Sequence, residues 1–179
     1  MKLPNFCIRT IIALATLGIN VQPGFSQTEK GANRPNQVTF FCQQLYDPTS
    51  GEKVPMTVVW VPEREAHVRL IAWKSQAFGK NWTPQKRCDV VSSKFQKFYQ
   101  SGQLNYLTVG RIKTRSQKGN ITEKQVICAV QEAQGICDDQ NQLFTIKDEE
   151  KNNIEKADDV LNSLVDLLYQ GGNAGPIWQ

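Results

Sequence analysis

One histidine, His67, is all that this 179-residue chain offers for acid–base work near neutral pH. It lies in HVRLIAW, where it alternates with Val68 and Leu70 in a strand pattern, so it reads as a structural or solvent-facing residue. Any triad that needs histidine would have to use this position. The chain also lacks GxSxG, HExxH and GxxxxGK[ST], which removes the commonest signatures of serine hydrolases, zinc proteases and P-loop enzymes. It lacks a CxxC pair, so a Cys/His zinc site would miss its close-spaced ligands. Long apolar runs are missing too. The stretch Thr10 to Ile19 covers ten residues, half of the roughly 20 that span a bilayer as a helix, and no later run is apolar enough to cross. Acidic residues cluster at Asp138-Asp139, Asp148-Glu149-Glu150 and Asp158-Asp159, but they read as helix-terminal and solvated faces. DDQNQLFT has neither the glycine nor the closing acid of a calcium loop. No catalytic, metal-binding or cofactor-binding residue is expected.

What the chain does contain begins with its leader. Lys2 and Arg9 precede the apolar stretch, and Pro23-Gly24 and Ser26 follow it. That is the layout of a secretory signal with small residues placed for cleavage after Ser26. Residues 1–26 are therefore expected to be a cleavable signal peptide. Cys7 precedes the apolar stretch, so it cannot be the lipid-bearing cysteine of a lipoprotein. Cleavage would leave 153 residues with a net charge of +2 in place of +4, enough chain for one domain with its own core. Export and that small charge argue against a nucleic-acid partner.

The other four cysteines, Cys42, Cys88, Cys128 and Cys137, all lie in the mature part. An oxidising compartment pairs such thiols, and four cysteines allow three pairings. The patterns favour Cys42–Cys88 with Cys128–Cys137. Cys128 sits in an apolar strand-like run and Cys137 follows Gly135, so a chain reversal around Glu132 brings them together. Cys88 lies on the apolar stripe of a helix, a geometry that suits a bond to the first strand.

Residues 27–37 are polar, with glycine and proline, and read as a disordered lead-in. Strands are expected at 38–45, 56–61, 67–73, 104–112, 125–131 and 143–146, from their β-branched and aromatic content. Thr83-Pro84 starts a helix by capping and by proline at its first position. Cys88, Val91, Phe95 and Phe98 then follow 3-4-3 spacing, with the basic residues of the helix largely elsewhere. A second helix over 153–169 carries Ile154, Ala157, Leu161, Leu164, Val165 and Leu168 on one stripe. Residues 38–169 thus form a single α+β domain, a mostly antiparallel sheet of about five to six short strands covered by two helices and stapled by disulfides. Residues 170–179 form a glycine-rich tail expected to be flexible.

Charge is distributed unevenly along the chain. From Gln27 to Cys128 there are 16 Lys plus Arg against 7 Asp plus Glu, and from Ala129 to Gln179 there are 3 against 10. Within the basic part, Arg111, Lys113, Arg115 and Lys118 emerge from a strand into a polar connection over 113–124. They are a candidate surface for anionic lipid headgroups, or they keep a sheet edge from pairing. Trp60, Trp73 and Trp82 read as core or core-edge residues. Trp178, in the tail, is a candidate contact with a partner, a membrane interface or its own domain.

The ordered blocks IAWKSQAF, NWTPQKRCDVVSSKFQ, GQLNYLTVG, QVICAV and LFTI before an amphipathic helix resemble the cyanobacterial circadian oscillating polypeptide family. The resemblance covers roughly Thr39 to Leu168. It implies a small exported protein of the periplasm or thylakoid lumen, possible peripheral association with a membrane, and no catalytic residues to carry over. The expectation is a non-enzymatic binding module whose partner is a protein or an anionic membrane surface. An extracytoplasmic hydrolase-type enzyme and a purely structural envelope component are the alternatives.

Overall fold

The computed structural model describes residues 36–115, 119, 121–147, 154–170 and 175–179. The expected signal peptide over 1–26, most of the lead-in, Lys118 and the start of the tail lie outside the described residues, as does the side chain of Arg115.

Strand β1 (Thr39–Asp47) pairs antiparallel with β2 (Glu52–Val61), from Thr39 opposite Trp60 to Asp47 opposite Glu52. The turn between them forms because the Asp47 carboxylate accepts from the backbone N–H of Thr49 at 3.0 Å and Ser50 at 3.1 Å, and Gly51 supplies a φ of 72°. A one-turn 3-10 helix, Pro62–Arg64, leads into β3 (Ala66–Ala72), which pairs antiparallel with β2. Helix α1 (Pro84–Gln100) starts where the Thr83 hydroxyl accepts from the Lys86 N–H at 3.2 Å. Strands β4 (Tyr106–Arg115), β5 (Ile121–Val130) and β6 (Gln142–Thr145) then form an antiparallel sheet in that order. Helix α2 (Ile154–Gln170) and the two-residue β7 (Ile177–Trp178) complete the chain.

The α+β class and both helices are as expected. The strands, however, divide into two sheets, β1-β2-β3-β7 and β4-β5-β6. Apolar alternation reports which residues face a core, not which strands share hydrogen bonds, so one sheet and two look alike in it. Helix α1 packs on β1, β2 and β6, while α2 packs on β3, β4, β5 and β7. The shared core between them includes Phe40, Leu70, Phe95, Ile127, Leu143 and Leu164, and Phe40 stacks on Phe95 with ring centres 5.3 Å apart. A smaller cluster of Val54, Met56, Val58 and Ala72 lies on the other face of β2.

Two expectations need correction. The polar connection expected over 113–124 is largely strand. Arg111 pairs opposite Gln125, Lys113 opposite Glu123 and Arg115 opposite Ile121. The Thr114 and Thr122 hydroxyls meet at 3.0 Å across the ladder, a cross-strand pair that holds a polar ribbon together without a core face. The tail is not free over its last residues either. Ile177 and Trp178 pair parallel with Ile71 and Ala72. Gln179, buried, donates its N–H to the Ala72 carbonyl at 2.9 Å and accepts from the N–H groups of Lys74 and Ser75. Its side-chain oxygen accepts from the Lys147 N–H at 2.9 Å. The open edge of β3 satisfies these groups, which glycine-rich composition conceals.

Candidate functional site

Both expected disulfides are present. Cys42–Cys88 ties β1 to α1 with Cα atoms 5.5 Å apart, and Cys128–Cys137 ties β5 to the segment after it at 5.6 Å. Gly110 on β4 lies directly under the second bond. A Cβ there would fall 2.3 Å from both Cβ and Sγ of Cys137.

The expected interaction residues do not converge. Arg111 and Lys113 are exposed on β4 of one sheet, and Glu123 opposite Lys113 offsets part of the charge. Trp178 is on β7 of the other sheet, 46% exposed, with the Lys74 ammonium 4.6 Å above its ring. It docks on its own domain. His67 is exposed, with its ring 4.8 Å from Trp60 and edge-on to Phe41, a packing contact. No helix among the described residues is long and apolar enough to cross a membrane, and none of their His, Cys, Asp and Glu side chains gather in threes to hold a metal.

A site that sequence reasoning missed lies between α1, β6 and the segment 73–83. It is a cleft of about 260 Å³ whose lining includes Trp73, Phe78, Trp82, Arg87, Lys94 and Phe144. Arg87, Val91 and Lys94 follow 4-3 spacing on α1, which turns them to one side of the helix. Arg87 is one of the basic helix residues expected largely away from the apolar stripe, yet it is only 5% exposed, because the chain after β3 folds back across the start of α1. Its Nη2 donates to the Ser75 carbonyl. The guanidinium carbon lies 5.1 Å over the Trp73 ring and 4.6 Å over the Phe78 ring. Nε and Nη1 have no acceptor among the described residues.

Trp73 is held in turn by its indole N–H, which donates to the Thr57 hydroxyl at 3.0 Å, and Ser92 donates to the same oxygen at 3.1 Å. The ring edge of Trp73 meets Phe144 with centres 5.8 Å apart at 87°. Trp82, expected in or near the core, is 45% exposed at the cleft. Lys94 donates to the Gln142 carbonyl at 2.9 Å. Burial lowers the pKa of both cations, though an arginine stays protonated at any physiological pH. No acidic residue is among the described residues that line the cleft. Two cations with no carboxylate, one carrying orphaned donors, make a site that can take an anion. The sequence did hold a signal: Arg87 directly precedes Cys88 on a helix whose apolar stripe faces inward.

A second cavity, about 320 Å³ and mostly apolar, is lined by residues including Phe40, Val59, Tyr99, Leu107 and Leu168. Its described lining residues include no charged group.

No curated protein and no solved structure matches the chain. The family model described as circadian oscillating protein COP23 matches residues 39–179, a span that takes in both sheets, both helices, both disulfides and the cleft. The chain belongs to that family.

Proposed function

We propose that the chain is an exported, non-catalytic binding module of the periplasm or thylakoid lumen, and that it holds a small anion in the cleft beside Arg87. The observation that carries this reading is the buried guanidinium with Nε and Nη1 unpartnered in a cleft whose described lining residues include a second cation and no acid. Buried charges are paired and buried donors bonded in nearly all folded proteins, so these orphaned groups favour a ligand that supplies the acceptor. Binding fits better than catalysis, because the described lining residues include no His, Asp, Glu, Cys or Ser to move a proton. Lys94, the one other titratable group among the described lining residues, is engaged with the Gln142 carbonyl. Paired cysteines and the signal-like start support export. The anionic-membrane reading of β4 draws less support, since Glu123 stands within the basic strip.

The test is calorimetric titration of the oxidised chain at low ionic strength with acetate, benzoate, phosphate and sulfate. At least one anion should bind the wild type, and Arg87→Gln should weaken it about ten- to a hundredfold, the loss of one charge-assisted contact. Lys94→Gln should weaken it less. If no anion binds, or both variants bind as the wild type does, the reading fails.

A further inference from the structure

We infer that the ligand of the Arg87 cleft, given the binding reading above, is a carboxylate on a flat aromatic body, and that its ring takes the place of Phe78. All guanidinium N–H bonds lie in one plane. With the Trp73 and Phe78 ring faces laid against that group, an acceptor approaches along the plane and not from above it. A planar carboxylate presents two oxygens in that plane. A phosphate or sulfate sets other oxygens out of it, toward the Trp73 ring, which stays in place when Phe78 is displaced. Lys94 gives one N–H to a carbonyl, whereas the buried donors without a partner are those of Arg87, so the acceptor of the ligand is placed at Arg87.

The body of the ligand follows from the walls. Trp73 and Phe144 form an edge-to-face corner, Val90 and Leu143 add apolar surface, and Trp82 stands at the cleft half-exposed. Rings favour such edge and offset contacts. At about 260 Å³ the cleft admits one ring with a short arm, below the roughly 300 Å³ at which pockets for drug-sized ligands begin. Phe78 covers the guanidinium in the free protein, and the orphaned nitrogens have almost no solvent contact. The ring is carried on residues 74–82, which belong to no helix or strand, so it can turn out without breaking a ladder.

Titrations of the full oxidised chain with benzoate, phenylphosphate, cyclohexanecarboxylate and benzamide test this. Benzoate should bind at least tenfold more tightly than phenylphosphate or cyclohexanecarboxylate, and neutral benzamide should give no heat. Arg87→Lys, which keeps the charge but not the planar donors, should lose at least tenfold in benzoate affinity. Phe78→Ala should bind benzoate a few-fold more tightly, because its own ring no longer competes, with Phe78→Leu between it and the wild type. Phenylphosphate equal to benzoate overturns the carboxylate assignment. Cyclohexanecarboxylate equal to benzoate overturns the aromatic body, and weaker binding by Phe78→Ala overturns displacement. Each of these results leaves anion binding itself standing, whereas silence from every anion removes both.

Discussion

Gly110 is the position where one missing side chain decides a covalent bond. Its partner across the ladder is Val126, and the space a Cβ would need is filled by the Cβ and Sγ of Cys137 at 2.3 Å. Contacts that close force backbone to move. Gly110→Ala should therefore obstruct the Cys128–Cys137 bond and lower stability by about 2–3 kcal/mol, the loop-closure contribution of a short disulfide loop. Thiol counting under denaturing conditions together with urea unfolding reads both effects. A variant with no free thiols and an unchanged midpoint would refute the claim. Asp47 is the residue that sets behaviour in acid. Its carboxylate, almost wholly covered, bonds the Lys74 ammonium and the Ser50 hydroxyl and is held well below the ordinary carboxylate range by them. A pKa depressed on folding contributes stability above the unfolded value near 4 and loses it as pH falls through the folded value. Stability of the wild type should thus decline below about pH 4 more steeply than that of Asp47→Asn, as thermal melts between pH 6 and 2 would show.

Among the elements, α1 was the most legible and the β4–β5 ribbon the least, for opposite physical reasons. The helix announces itself through Thr83-Pro84, a 3-4-3 apolar stripe and a closing Ser101-Gly102, and Cys88 on that stripe meets β1 as its burial requires. The outer half of the ribbon has no buried face. Ile121 to Glu123 are exposed, so cross-strand pairs hold what apolar alternation cannot report. The cleft was hidden for a third reason. Its aromatic residues come from the end of β3, an irregular segment and β6, and only the tertiary fold gathers them over Arg87. The last strand, β7, was concealed by the glycines before it. Ending the chain at Gly175 removes the hydrogen bonds of Gln179 to Ala72, Lys74, Ser75 and Lys147. At about 1 kcal/mol for each of these, the truncation should cost about 2–4 kcal/mol in denaturant unfolding. A change under about 0.5 kcal/mol, the usual scale of a surface alteration, would show that β7 merely rests on β3.

At the scale of the whole molecule, the two disulfides carry unequal loads. Cys42–Cys88 closes a loop with a sequence separation of 46 and Cys128–Cys137 one of 9. The chain-entropy contributions are then about 4 and about 2.5 kcal/mol, large beside a typical domain stability of about 5–15 kcal/mol. The longer staple also bears on the cleft. It fixes α1 to β1 one residue beyond Arg87, while the Lys94 end of the helix is tied to the Gln142 carbonyl. The shorter staple holds β5 to the chain that leads into β6, and neither of its cysteines adjoins Arg87 in the chain. Replacing Cys42 and Cys88 together by serine should therefore weaken both unfolding stability and anion affinity, the affinity loss persisting at temperatures where circular dichroism shows the variant folded. Replacing Cys128 and Cys137 should lower stability by the smaller amount and leave affinity within about twofold, under about 0.5 kcal/mol. Equal affinity losses from the two pairs would mean that the cleft depends on the stability of the whole domain, and not on how Cys88 seats the start of α1 beneath Trp73 and Phe78.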